Sequence, residues 1–128
     1  MARRAAPIPS RRQRGEMPAT TTLERNDLGG SARDRFLFAM HRAIDPIAAA
    51  RNDRDIFGEL AARGGFEVRY TDGLDETGWI RKLYDSARAK NLTAGVEMPP
   101  FEVFWERGYF ELPQPQRVFV LFEDFRSD

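Results

Sequence analysis

Residues 18–63, PATTTLERNDLGGSARDRFLFAMHRAIDPIAAARNDRDIFGELAAR, pass from a polar loop through a short apolar run into a helix, and that succession decides the fold class. The helix is the firmest element. Asn52 can accept from the backbone N–H groups of an opening turn, Asp53 and Asp55 sit where the helix dipole favours negative charge, and Ile56, Phe57, Leu60 and Ala61 fall on one face. Arg63 stands in the last turn and Gly64-Gly65 can supply the stop. Upstream, Phe36-Leu37-Phe38-Ala39-Met40 fits a strand or a helix by periodicity. Pro46 penalises a helix through this region and biases Asp45 towards extended geometry, so the run is predicted extended. From Pro18 to Ser31 the Thr20 to Thr22 run, Asn26-Asp27 and Gly29-Gly30 favour caps and turns, which predicts a loop.

Outward from this stretch, Asp75-Glu76 opens a second helix running to about Lys90, with Trp79, Ile80, Leu83, Tyr84 and Ala87 on one stripe. Phe66 to Tyr70 is short enough for a connector or a brief strand, and Thr71-Asp72-Gly73 reads as a turn. Pro100 suits the first position of a short third helix carrying Phe101, Phe104 and Trp105 at i, i+3, i+4 and ending at Gly108. Val118 to Phe122 reads as a buried strand. Residues 1–17 carry five arginines, Arg3, Arg4, Arg11, Arg12 and Arg14, with little to bury, and are expected to be a disordered tail. The expected fold is α/β: about three helices with two or three short strands. That inventory is poor for closing a sheet and covering both its faces, so the chain is expected to be an incomplete segment of an interior sheet-and-helix domain spanning residues 18–128.

Composition excludes more than it identifies. Twenty basic and twenty acidic side chains leave a formal net charge of zero, so no global field draws in nucleic acid or an anionic membrane. Without cysteine, the chain can hold neither a disulfide nor a thiolate-ligated cluster. The sequence has no apolar run of about 18 residues and no signal-like h-region, which makes the cytoplasm the expected compartment and the membrane no partner.

Four ordered blocks carry a family resemblance: PATTTLERNDL (18–28), AMHRAIDPIAAARNDRDIFGELA (39–61), YTDGLDETGW (70–79) and MPPFEVFWERGYFELP (98–113). Together they resemble the dimethyl sulfoxide reductase family of molybdopterin oxidoreductases, on the branch that reduces trimethylamine N-oxide and biotin sulfoxide. The resemblance implies a parent enzyme several times longer, which transfers an oxygen atom at molybdenum held by two molybdopterin guanine dinucleotides. On this branch a serine completes the metal's ligands, in a motif well before the first block. None of Ser10, Ser31, Ser86 or Ser127 stands in a similar context. A second, barrel-like cofactor domain would begin after Phe119–Phe125. The chain alone is therefore expected to bind no cofactor and to be inactive, its partners being the missing domains of the parent enzyme. An interaction module docking with another polypeptide is the alternative, and a nucleic-acid binder using the arginine tail a further one.

Within the chain, Thr20, Thr21, Thr22, Glu24 and Arg25 are the candidates for touching such a cofactor, because hydroxyls with one charge of each sign can hydrogen-bond phosphates and pterin nitrogens. The competing reading is that Glu24 and Arg25 tie the loop to its own domain. His41, the only histidine, could protonate a departing oxide oxygen, but a lone histidine beside an apolar run is more often structural. The carboxylates Glu24, Asp27, Asp53, Asp55, Asp72, Asp75 and Glu76 stand mostly at caps and turns, and no spacing among them suggests a metal site. Gly29-Gly30-Ser31 lacks the second half of any phosphate-loop pattern. Phe101, Phe104, Trp105, Tyr109 and Phe110 could line a funnel, though helical spacing favours core packing for the first three.

Overall fold

The computed structural model describes residues 17–31 and 34–114 together with Val120, Phe122 and Phe125. The expected tail (but for Met17) and most of the expected strand at Val118–Phe122 lie outside the described residues. In chain order the elements are β1 (Asp27–Gly30), β2 (Phe36–Met40), α1 (Asp53–Arg63), α2 (Glu67–Thr71), α3 (Glu76–Thr93), α4 (Phe101–Arg107) and β3 (Tyr109–Glu111). The strands form one antiparallel sheet in the order β1-β2-β3. Among the described residues this is an α/β arrangement with four helices, where about three were expected.

Register assigns the two faces of the sheet. Leu28 stands opposite Ala39, and Leu37 opposite Phe110, so these four share one face. On it lie α3 and α4, enclosing a core of Ala39, Ile80, Tyr84, Met98, Phe101 and Phe104. The period of two then sends Phe36, Phe38, Met40 and Tyr109 to the opposite face.

The core is aromatic at its centre. Tyr84 and Phe104 stack with ring centroids 4.3 Å apart, and Phe101 meets Tyr84 edge-on at 5.7 Å. Burial pushes the Tyr84 phenol above its ordinary pKa, and its hydroxyl donates to the Pro99 carbonyl at 2.8 Å. Arg88 Nε donates to the Met98 carbonyl at 2.8 Å. Two side chains of α3 thus satisfy consecutive carbonyls of the extended segment that leads into α4.

Three expectations need correction. The predicted loop from Pro18 to Ser31 ends in β1, because pairing with β2 outweighs the weak strand preference of Gly29-Gly30. Gly29 has a packing reason to lack a side chain: a Cβ there would lie 2.8 Å from Met40 Sδ. Phe66 to Tyr70 is neither connector nor strand but opens α2, with Tyr70 N–H donating to the Phe66 carbonyl at 3.0 Å and Thr71 Oγ1 donating to the Glu67 carbonyl at 3.0 Å. It packs on α1, where Gly58 faces the Thr71 methyl. Finally, the predicted apolar stripes are only half used. Ile56 and Ala61 are buried while Phe57 and Leu60 are exposed, and on α3 Ile80 and Tyr84 are buried while Leu83 is exposed.

The helix ends agree closely with the sequence signals. Asn52 caps α1 by accepting from Arg54 N–H at 3.1 Å, and Asp75 caps α3 by accepting from Gly78 N–H at 2.7 Å. Gly108 closes α4 in the left-handed region at φ 87°, and its carbonyl accepts from Ala39 N–H at 2.8 Å. Pro100 stands one residue earlier than expected, as the N-cap of α4.

Candidate functional site

The polar loop at residues 18–26 lies along residues 42–51, and hydrogen bonds join the two throughout. Thr20 N–H donates to the Arg51 carbonyl at 3.0 Å, and Arg51 N–H to the Pro18 carbonyl at 3.0 Å. The Leu23 carbonyl accepts from Ala43 and Ile44 N–H at 2.9 and 3.1 Å. Arg42 N–H donates to Asn26 Oδ1 at 3.0 Å.

Glu24 is the centre of this clamp. Its carboxylate is buried and accepts from Thr21 N–H at 2.7 Å and from Ile47 N–H at 2.6 Å. Those backbone donors, first Thr21 and then Ile47, hold the carboxyl below its ordinary value near 4.5. A carboxyl with a depressed folded-state pKa stabilises above the unfolded value, and the contribution disappears as pH falls through the folded one. Wild-type chain should therefore lose more of its urea midpoint as pH falls from about 5 to about 3 than Glu24→Gln, which is weaker at neutrality and flatter with pH. Parallel pH profiles for the two proteins would contradict this.

Of the other candidates, Arg25 serves the loop. It donates to the Thr20 carbonyl at 3.2 Å and pairs with Asp27 at 3.3 Å and Asp53 at 3.8 Å. Thr21 and Thr22 are exposed, whereas Thr20 is buried and its Oγ1 has no hydrogen-bond partner among the described residues. The five residues thus form one loop with distinct roles. Glu24 and Arg25 shape it, and Thr21 and Thr22 are its exposed residues.

Beside the loop is an open cleft of about 370 Å³, bounded by Arg25 to Asp27, the first residues of α1, and Tyr70, Trp79, Ile80 and Leu83. Sequence reasoning missed the residue that organises it. Glu76 accepts from Asn26 Nδ2 at 3.0 Å and from Asn52 Nδ2 at 2.7 Å, so one carboxylate joins the loop, the α1 cap and the start of α3. Separations of 50 and 24 residues leave no local signal for such a bridge.

His41 contacts Trp105. Its Nε2 donates to the Trp105 carbonyl at 3.0 Å and its ring meets the Trp105 ring edge-on at 4.5 Å. Phe101 and Phe104 are core residues, as their spacing suggested. Among the described residues no group of three or more His, Cys, Asp or Glu side chains could hold a metal ion, and no helix is long and apolar enough to cross a membrane.

No protein-family model matches the chain. Curated relatives do. The chain is 41% identical over 115 residues to a dimethyl sulfoxide/trimethylamine N-oxide reductase of Rhodobacter capsulatus, a match covering 88% of the chain and 14% of the relative. It is 42% identical over 113 residues to a biotin sulfoxide reductase of Cereibacter sphaeroides, covering 88% and 15%. With trimethylamine-N-oxide reductase 1 of Escherichia coli K12 it shares 41% over 115 residues, covering 88% and 13%. The chain spans about one seventh of the length of these relatives.

Proposed function

We propose, from the premise that this chain is related over 88% of its length to one segment of the dimethyl sulfoxide, trimethylamine N-oxide and biotin sulfoxide reductases, that it serves as an interior structural segment of a molybdenum-dependent S-oxide or N-oxide reductase. The observation that carries this reading is the collinear identity of 41–43% with reductases of all three kinds.

The donor set suits one part of a molybdopterin guanine dinucleotide and not another. The exposed Thr21 and Thr22, in the loop that Arg25 braces, and the Thr20 hydroxyl, which lacks a partner among the described residues, suit hydrogen bonding to phosphate or pterin atoms. Among the described residues no cluster of His, Cys, Asp or Glu forms a metal site, and in this reading the molybdenum ligands come from other parts of the enzyme. When bound, the cofactor supplies the oxygen-atom transfer chemistry. The contribution of this chain is to hold the threonine loop in place through Glu24 and Glu76.

The purified 128-residue chain is expected to bind no molybdenum and to reduce neither dimethyl sulfoxide nor trimethylamine N-oxide with an artificial electron donor. A chimera, the Rhodobacter capsulatus reductase in which the part of the matched segment aligned with Pro18–Pro113 is replaced by those residues of this chain, is expected to reduce trimethylamine N-oxide. An isolated chain that retains stoichiometric molybdenum, or a folded chimera that reduces nothing, would overturn the reading.

A further inference from the structure

The face of the sheet opposite α3 and α4 is apolar and uncovered among the described residues. Phe36 and Phe38 stack at 5.8 Å, Phe36 meets the Tyr109 ring at 6.1 Å, and Met40 lies across Gly29. Phe38 is 42% exposed and Tyr109 39%. An antiparallel sheet with one wet face alternates apolar and polar residues along each strand, whereas FLFAM is apolar at every position, the pattern of a strand buried on both sides. Glycine at position 29 flattens the surface, letting Met40 fill the space a side chain would take. Charged groups stand at the edge: Arg107 lies over the Tyr109 ring at 5.0 Å, and Arg35 pairs with Glu111. An apolar centre with a charged rim is the composition of a packing interface.

We propose that this face, centred on Phe36, Phe38, Met40 and Tyr109, is the surface on which the remaining polypeptide of the reductase docks, contributing the second layer that the sheet lacks. The inference rests on the reductase reading, and the occupant follows from length. The match occupies only 13–15% of each relative compared, so each carries ample polypeptide outside the matched segment to supply that layer. A second copy of this chain would leave the strand pattern equally satisfied but would use none of that polypeptide.

Phe38→Glu separates the possibilities. In the isolated 128-residue chain it should reduce binding of a hydrophobic dye several-fold and shift the thermal midpoint by less than about 5 °C, the scale of a minor destabilisation in a domain of this size. In the chimera the same substitution should abolish molybdenum retention and trimethylamine N-oxide reduction, while Val103→Glu, on the exposed side of α4, should leave both within about twofold. Three results would overturn the proposal: an active chimera unaffected by Phe38→Glu, a collapse of the isolated chain's midpoint, or a homodimer that the substitution dissociates. Failure of the unsubstituted chimera would instead count against the reductase reading, with the dye and midpoint data on the isolated chain still deciding whether the face is open.

Discussion

Phe104→Ala should cost about 3–5 kcal/mol, the range for deleting a buried aromatic ring. The ring is fully buried and lies nearly parallel to Tyr84, with 17° between the planes. Its neighbours are poorly placed to fill the void. Tyr84 is held by its hydrogen bond to the Pro99 carbonyl, and Phe101 is stacked against Trp105 at 5.4 Å with the Arg81 guanidinium 4.5 Å above its ring. A loss of that size is a large fraction of the 5–15 kcal/mol that ordinary domains possess, so the urea midpoint of the substituted chain should fall steeply. Val103→Ala, one residue away and exposed, should stay within about 0.5 kcal/mol. Urea titration followed by tryptophan fluorescence reads both, and equal effects at the two positions would contradict the assigned core.

Glu76→Ala should cost about 1–3 kcal/mol. Hydrogen bonds to a charged acceptor contribute about 1.5–3 kcal/mol each when well buried, and the half-buried setting of Glu76 reduces that. Two amide donors lose their acceptor together, and one belongs to the residue that caps α1. Asn52→Ala should itself cost about 1 kcal/mol through the cap. Because the two share a bond, the double variant should be less damaged than the sum of the singles by at least about 0.5 kcal/mol. Strict additivity would show that the bridge contributes nothing.

The parts of the fold legible in the sequence are those whose causes are local. Asn52, Asp75 and Gly108 mark helix ends because a cap is decided within one turn, and all three act as expected. The strand at Phe36–Met40 followed from the exclusion of a helix near Pro46. What escaped was decided at a distance. Asp27–Gly30 becomes a strand because a neighbouring strand offers hydrogen bonds, against the preference of two glycines. Phe66–Tyr70 turns into a helix that covers α1.

Helices with apolar faces and too few strands to cover imply that some of Phe36, Phe38, Phe104, Trp105, Phe119 and Leu121 stay exposed, and this is met unevenly. Phe38 is exposed, Phe36 and Trp105 are half-buried and Phe104 is fully buried, while Phe119 and Leu121 lie outside the described residues. The closed aromatic core therefore accounts for α4, while the uncovered sheet face and the exposed Phe57, Leu60 and Leu83 account for the shortage of covering layers.

In the candidate site the same division holds. The polar character of Thr20–Arg25 was plain in the sequence. That Glu24 would be saturated by Thr21 and Ile47 was not, because the second donor arrives from a segment 23 residues away. The Glu76 bridge is more remote still, and a carboxylate at a helix start gave a sufficient local reason for its own presence.

The most direct measurement is the molybdenum content of the chimera relative to the intact Rhodobacter capsulatus reductase and to the isolated chain. If Pro18–Pro113 is an interior segment of such an enzyme, the chimera should carry close to the same molybdenum per polypeptide as the intact reductase, and the isolated chain none. A folded, monodisperse chimera devoid of molybdenum, or an isolated chain that holds it stoichiometrically, would contradict the account.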